Sequence, residues 1–285
     1  RALSVPTGLL GVYVALAYLG TMAASVIGGA AVARLGAVRI SQLGLLLCAA
    51  GLLLSALPWL PAMGLGALLI GLGYGPATPA SSHLLARSTP PHRVSLVFSI
   101  KQTGVPLGGV VAGLMVPPLA SQPGWGGAPG AMVATALLCL AGAALAVPLR
   151  AELDRDREPT APWPQLSRLA EPLVFVATHP VLRSVALCSF VFSMVQVSLT
   201  SFLVSFTHNE LGWTLVAAGA ALSATQTAGV LGRIAWGLVS DRGLGPRRTL
   251  LLLGTLSLAC GSALPWLAPR VGHGALLVLL CLYGA

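Results

Sequence analysis

GRIAWGLVSDRGLGPRR, residues 232–248, decides the reading of the whole chain. An apolar helix runs into it and ends at Ser240-Asp241-Arg242, Gly245-Pro246 turns the chain, and Arg247 and Arg248 precede a new apolar run from Leu250. This is a tight hairpin between two hydrophobic helices, with its charges gathered into one short loop. A weaker copy, GAAVARLGAVR, occupies residues 29–39, about 208 residues earlier. Gly29 corresponds to Gly237, Ala33 to Asp241 and Arg34 to Arg242, and the Gly36…Arg39 tail matches Gly245…Arg248 with a slip of one residue. The hexapeptide SALPWL follows each copy, at 55–60 and at 262–267, and Gly-Tyr-Gly at 73–75 faces Leu-Tyr-Gly at 282–284. A period this long, shared by loops and flanking helices, indicates two parallel halves of one membrane protein.

Composition points the same way. The chain is 56% hydrophobic and only 8% charged, where a soluble domain carries roughly a quarter charged residues. It has too few polar groups to cover a surface in water, so its solvent is largely lipid. The net charge of +9 does not signal nucleic acid, because the basic residues sit in short loops between apolar segments rather than on one face. Cys48, Cys139, Cys188, Cys260 and Cys281 all lie in apolar segments without metal-ligand spacing, and read as small core residues. Neither a metal nor a cofactor is expected.

Runs long enough to cross a hydrocarbon core of ~30 Å need ~20 residues. They fall at about 8–33, 40–60, 62–86, 94–118, 129–149, 180–206, 214–240 and 249–268, with a ninth beginning near 274. The loops on one side hold twelve arginines, among them Arg34, Arg39, Arg87, Arg150, Arg242, Arg247 and Arg248, whereas the other side holds Arg1 and Arg270. Basic loops stay cytoplasmic, which places both motif hairpins there. Residues 150–179 form the one long polar stretch. They read as a cytoplasmic linker between a first bundle, 1–149, and a second, 180–285, with a short interfacial helix near Leu166–Leu173.

Two parallel halves, a central cytoplasmic loop and GxxxDRxGxRR-like hairpins resemble the major facilitator superfamily of secondary transporters. GLVSDRGLGPRR fits apart from one inserted residue, and GAAVARLGAVR departs by having Ala33 in the acidic position. The resemblance covers the whole chain and implies an all-α polytopic fold of two pseudo-symmetric bundles. It implies transport by alternating access, with Gly29, Arg34, Gly237, Asp241, Arg242 and Arg248 as the conformational motif. In the family's register the chain is expected to run from about helix 2 to the first half of helix 10, leaving helices 1, 11 and 12 outside it.

Ionisable groups inside hydrocarbon are costly and are functional candidates by default. Arg233 lies eight residues before Asp241, about 12 Å into its helix at ~1.5 Å per residue. Lys101 lies roughly 10 Å into the 94–118 segment on the same arithmetic. The two are expected to bind an anionic substrate, the guanidinium as a planar fork and the ammonium as a point charge. Polar stripes are expected to face a water-filled cavity: Ser223, Gln226 and Arg233 in one helix, Ser189, Ser193, Gln196 and Thr200 in another, and Tyr74, Thr78 and Ser81 in a third, with Tyr18 on the repeat-related face. Gln226, Gln196, Tyr18 and Tyr74 join the candidate substrate-binding set. The alternative for Arg233 is a carbonyl cap or ion pair, for Lys101 snorkelling to the interface, and for Ser and Thr a bond to their own i−4 carbonyl.

All seven acidic residues lie in loops or at a helix end, so no carboxylate in these spans is available to shuttle a proton. SIKQTGVPLGGVVAG, 99–113, loosely resembles the superfamily's helix 5 motif of proton-driven antiporters, with Val105 set between Gly104 and Pro106. The leading expectation is a transporter of small organic anions in a bacterial inner membrane, acting as a monomer on a small-molecule substrate. The alternatives are a proton-driven exporter of drugs or other hydrophobic compounds, and a membrane sensor that has lost transport. An enzyme is excluded from the expectation, since no nucleophile–base pair, metal cluster or nucleotide loop appears.

Overall fold

The computed structural model describes residues 8–90, 94–121, 127–163, 170–239, 244–268 and 270–284. Long apolar stretches without internal breakers become helices, and the Gly and Pro residues between them set the ends. In chain order these are α1 (Gly8–Leu35), α2 (Ala37–Ser55), α3 (Leu60–Tyr74), α4 (Ala77–Ser88), α5 (Val94–Ser121) and α6 (Ala128–Leu145). Then come α7 (Arg150–Leu153), α8 (Glu171–Thr178), α9 (Pro180–Ser205), α10 (Leu215–Val239), α11 (Gly245–Leu267) and α12 (His273–Gly284). A π-helical turn, Phe206–Glu210, continues α9. Every described element is helical, as the all-α expectation requires.

Among the described residues, eight helical stretches are long and apolar enough to cross a membrane. Much of their surface is unburied: none of the most apolar window of Arg247–Leu267 is buried, and Leu258 is 73% exposed. Exposure of this kind is stable only where the surroundings are themselves apolar.

The expected span at 62–86 is present as Leu60–Ser88, and it is built of two helical segments. Tyr74 ends α3, and Ala77 opens α4 after Gly75-Pro76. Pro76 and Pro79 lack the N–H that would bond the preceding turn, so the ladder is interrupted there. The interfacial helix expected near Leu166–Leu173 lies partly outside the described residues, and the described helix starts at Glu171.

The chain forms two units, residues 1–94 with 122–184, and residues 95–121 with 185–285. This grouping differs from the division at 150–179: α5 goes with the second unit, and residues 150–163 go with the first. In the first unit, helices approach through glycine. A Cβ on Gly20 would lie 2.5 Å from the Leu68 carbonyl oxygen, and one on Gly51 2.5 Å from that of Gly66. Small residues let backbones meet where lipid removes the usual hydrophobic driving force. Gly36, at φ 94°, turns α1 into α2.

In the second unit, Leu203, Trp213, Ala221, Ala268, Leu276 and Leu280 form a buried cluster that gathers one end of α9 to α12. The two copies of SALPWL fold differently. The first ends α2 at Ser55 and passes through an extended Trp59, while the second lies wholly within α11. Ser55 is buried and shares a 3.1 Å hydrogen bond with the Tyr13 hydroxyl, and Pro61 then starts α3.

Candidate functional site

Helices α5 and α10 pack in a regular antiparallel register. Ser223 Oγ donates to the Val110 carbonyl at 2.9 Å, and a Cβ on Gly113 would lie 2.6 Å from the Gly219 carbonyl oxygen. A Cβ on Gly109 would fall on the Gln226 side chain. Further along, Arg233 Nη1 donates to the Gln102 carbonyl at 2.6 Å. Each step towards the C-terminus of α10 is matched by a step back along α5. Gly113 makes this possible, because a larger side chain there would meet the backbone of α10.

Each residue of the stripe Ser223–Gln226–Arg233, expected to face a water-filled cavity, also meets α5. Ser223 is buried, and also donates to the Gly219 carbonyl at 3.1 Å. The i−4 pattern recurs at Thr21, Ser25, Ser81 and Thr200, so these hydroxyls are satisfied by their own helices. Arg233 is exposed on α10 and uses one guanidinium N–H on the Gln102 carbonyl. Lys101, the residue beside Gln102, is half-buried, with Nζ 5.6 Å from the centre of the Phe98 ring. The turn of α5 that holds Arg233 is thus also the turn that carries Lys101. Gln226 is half-buried in the same contact, while Gln196 is exposed on α9.

Tyr18 and Tyr74 belong to the first unit, on α1 and at the end of α3, at 50% and 46% exposure. The motif residues divide. Gly29 and Gly237 have open space where a Cβ would stand, and Arg248 is exposed near the start of α11. Asp241 and Arg242 lie outside the described residues. Arg34 Nη1 donates to the Ala161 carbonyl at 2.8 Å, and its guanidinium sits 5.3 Å from the centre of the Trp163 ring.

The first hairpin is completed by residues the sequence did not single out. Asp154 Oδ1 accepts the Val38 N–H at 2.8 Å and Oδ2 accepts the Arg39 N–H at 3.1 Å, while Asp154 itself is buried. Two of the N-terminal amides of α2, which have no intrahelical partner, are thereby satisfied by a carboxylate placed favourably for the helix dipole. Gln42, also buried, donates from Nε2 to the Ala143 carbonyl at 2.7 Å and accepts from Arg150 Nε. The Glu158 N–H donates to the Ala33 carbonyl at 2.8 Å. Asp156 pairs with Arg87, and its Oδ2 lies 3.3 Å from His83 Nε2. A cleft of about 190 Å³ remains beside this cluster, lined by Ala33, Gly36, His83, Asp156 and Glu158 among others. A glutamine inside an apolar span was the available signal for Gln42. For Asp154 there was none, because it is one of several charges in a polar stretch.

Comparison with known proteins matches residues 1–285 to the family described as Major Facilitator Superfamily. Two curated relatives, uncharacterized MFS-type transporters of Mycobacterium tuberculosis strains CDC 1551 / Oshkosh and ATCC 25618 / H37Rv, are each 27% identical over 171 residues. The match covers 60% of this chain and 36% of each relative.

Proposed function

The chain belongs to the major facilitator superfamily, and from that premise we propose a secondary transporter of small organic anions working by alternating access. It is an integral membrane protein, and we place it in a bacterial inner membrane as a monomer with the basic hairpins cytoplasmic. The observation that carries the anion reading is the turn of α5 shared by Lys101 and Arg233, on two helices whose sequences contain no Asp or Glu. A planar guanidinium fork and an ammonium at one turn offer a carboxylate two charge-assisted donors. Gln226 and Gln196, in the same unit as Lys101 and Arg233, supply neutral hydrogen bonds that orient the substrate. Substrate and bilayer are the partners, and no cofactor is required.

The test is uptake by the full-length protein reconstituted in vesicles, with radiolabelled succinate and benzoate. Flux that follows the concentration of the carboxylate, and disappears in Arg233→Ala, supports the reading. A second reading, proton-driven export of hydrophobic compounds, draws on the Gly-Pro run of α5 and its close packing on α10. Robust export of cationic dyes with no carboxylate flux would promote it and overturn the first.

A further inference from the structure

Pro106 has no N–H, and in a helix the N–H of residue 106 is the donor to the carbonyl of residue 102. Gln102 therefore presents a carbonyl oxygen that its own helix leaves without that donor. Arg233 Nη1 donates to this oxygen at 2.6 Å. The antiparallel register set by Ser223 on Val110 brings Arg233 to the height of Gln102. Gly113, whose Cβ would lie 2.6 Å from the Gly219 carbonyl oxygen, brings the two backbones close enough for the side chain to reach.

We propose that Arg233 is a positioning residue: it replaces the hydrogen bond that Pro106 removes, and so fixes the bend of α5 from α10. Proline is where a helix most readily bends, so a guanidinium that holds the freed carbonyl sets how far α5 can bend at Pro106. A carboxylate that takes the guanidinium competes with the Gln102 oxygen, and α5 is then released at Pro106. Ligand and bend are coupled because one group serves both. The first step stands on the geometry alone; the release step rests on the anion reading above.

The test is a double-mutant cycle on the full-length protein, read as the midpoint of thermal unfolding in detergent. Pro106→Ala returns an N–H to the Gln102 carbonyl. Arg233→Leu should lower the midpoint in the native background, and should lower it by less than half as much once Pro106 is Ala. If Arg233→Leu does not express, Arg233→Gln takes its place in the cycle. Additive shifts overturn the proposal. The second measurement is binding of succinate and benzoate, followed by tryptophan fluorescence. Pro106→Ala should bind about threefold tighter, because the Gln102 carbonyl then competes less for the guanidinium. A non-additive cycle with no carboxylate binding in any variant overturns the release step and the anion reading, and leaves the replaced hydrogen bond in place. Carboxylate binding with an additive cycle overturns the positioning role and leaves the anion site.

Discussion

The carboxylate of Asp154 accepts the backbone N–H of Val38 at 2.8 Å, so a residue beyond α6 caps the N-terminus of α2. The hairpin between α1 and α2 has Ala33 where its repeat has Asp241, and here the acidic group comes from the polar stretch instead. Gly36 leaves room for it, since a Cβ there would fall on the Asp154 side chain.

Removal of that cap has a defined cost. Asp154→Ala should destabilise the protein by about 0.5–2 kcal/mol, the usual range for losing a capping side chain. Asp154→Asn keeps one acceptor oxygen but loses the charge and sets its NH2 against the second backbone N–H, so it should cost less than alanine without being neutral. Hydrogen exchange at the Val38 and Arg39 amides checks this: both should exchange faster in the alanine variant. Unchanged exchange there would show that the carboxylate does not hold them.

Gln42 is 2% exposed and serves the Ala143 carbonyl and the Arg150 guanidinium at once. Gln42→Ala strands both partners and should cost about 1–3 kcal/mol. Gln42→Leu combined with Arg150→Met removes both polar members of the side-chain pair, and should be milder than Gln42→Leu alone. Thermal unfolding of the purified variants distinguishes the two. An equal loss in the single and double variants would rule out a coupled pair.

The glycines of α5 are not equivalent. Gly113 faces the Gly219 carbonyl and the Ser223 hydroxyl, whereas nothing lies within 4 Å of a Cβ at Gly108. Gly113→Val should separate α5 from α10 and lower the unfolding midpoint sharply, while Gly108→Val should change it little. Equal effects at the two positions would mean that the observed face is not the packed one.

Arg233→Lys keeps the charge and loses the planar fork. Under the anion reading, affinity for benzoate and succinate should fall about tenfold, a loss of ~1.4 kcal/mol, with expression in the membrane unchanged. Binding as tight as that of the native protein would remove the guanidinium from the site.

The sequence by itself determined the number and approximate limits of the apolar helices, the two motif hairpins and the family. These are local properties: hydrocarbon thickness sets span length, and most arginines gather at the span ends and in the loops. Which faces meet was settled on folding. Ser223 bonds the Val110 carbonyl and Gln226 lies beside Gly109, contacts not legible beforehand because helix period shows which residues share a face and not what meets it. The two copies of SALPWL took different conformations because Ser55 bonds Tyr13 and Pro61 opens α3, whereas the second copy is continuous with α11. Arg233 was legible as a charge at depth. Its partner was not, since the Gln102 carbonyl is backbone, made available by a proline four residues on and reached from a helix more than a hundred residues away. Asp154 was one charge among many until folding set it at the end of α2. In lipid, where apolar surface drives association only weakly, such polar and close-packed contacts decide the arrangement of the helices, and they join residues that the sequence keeps far apart.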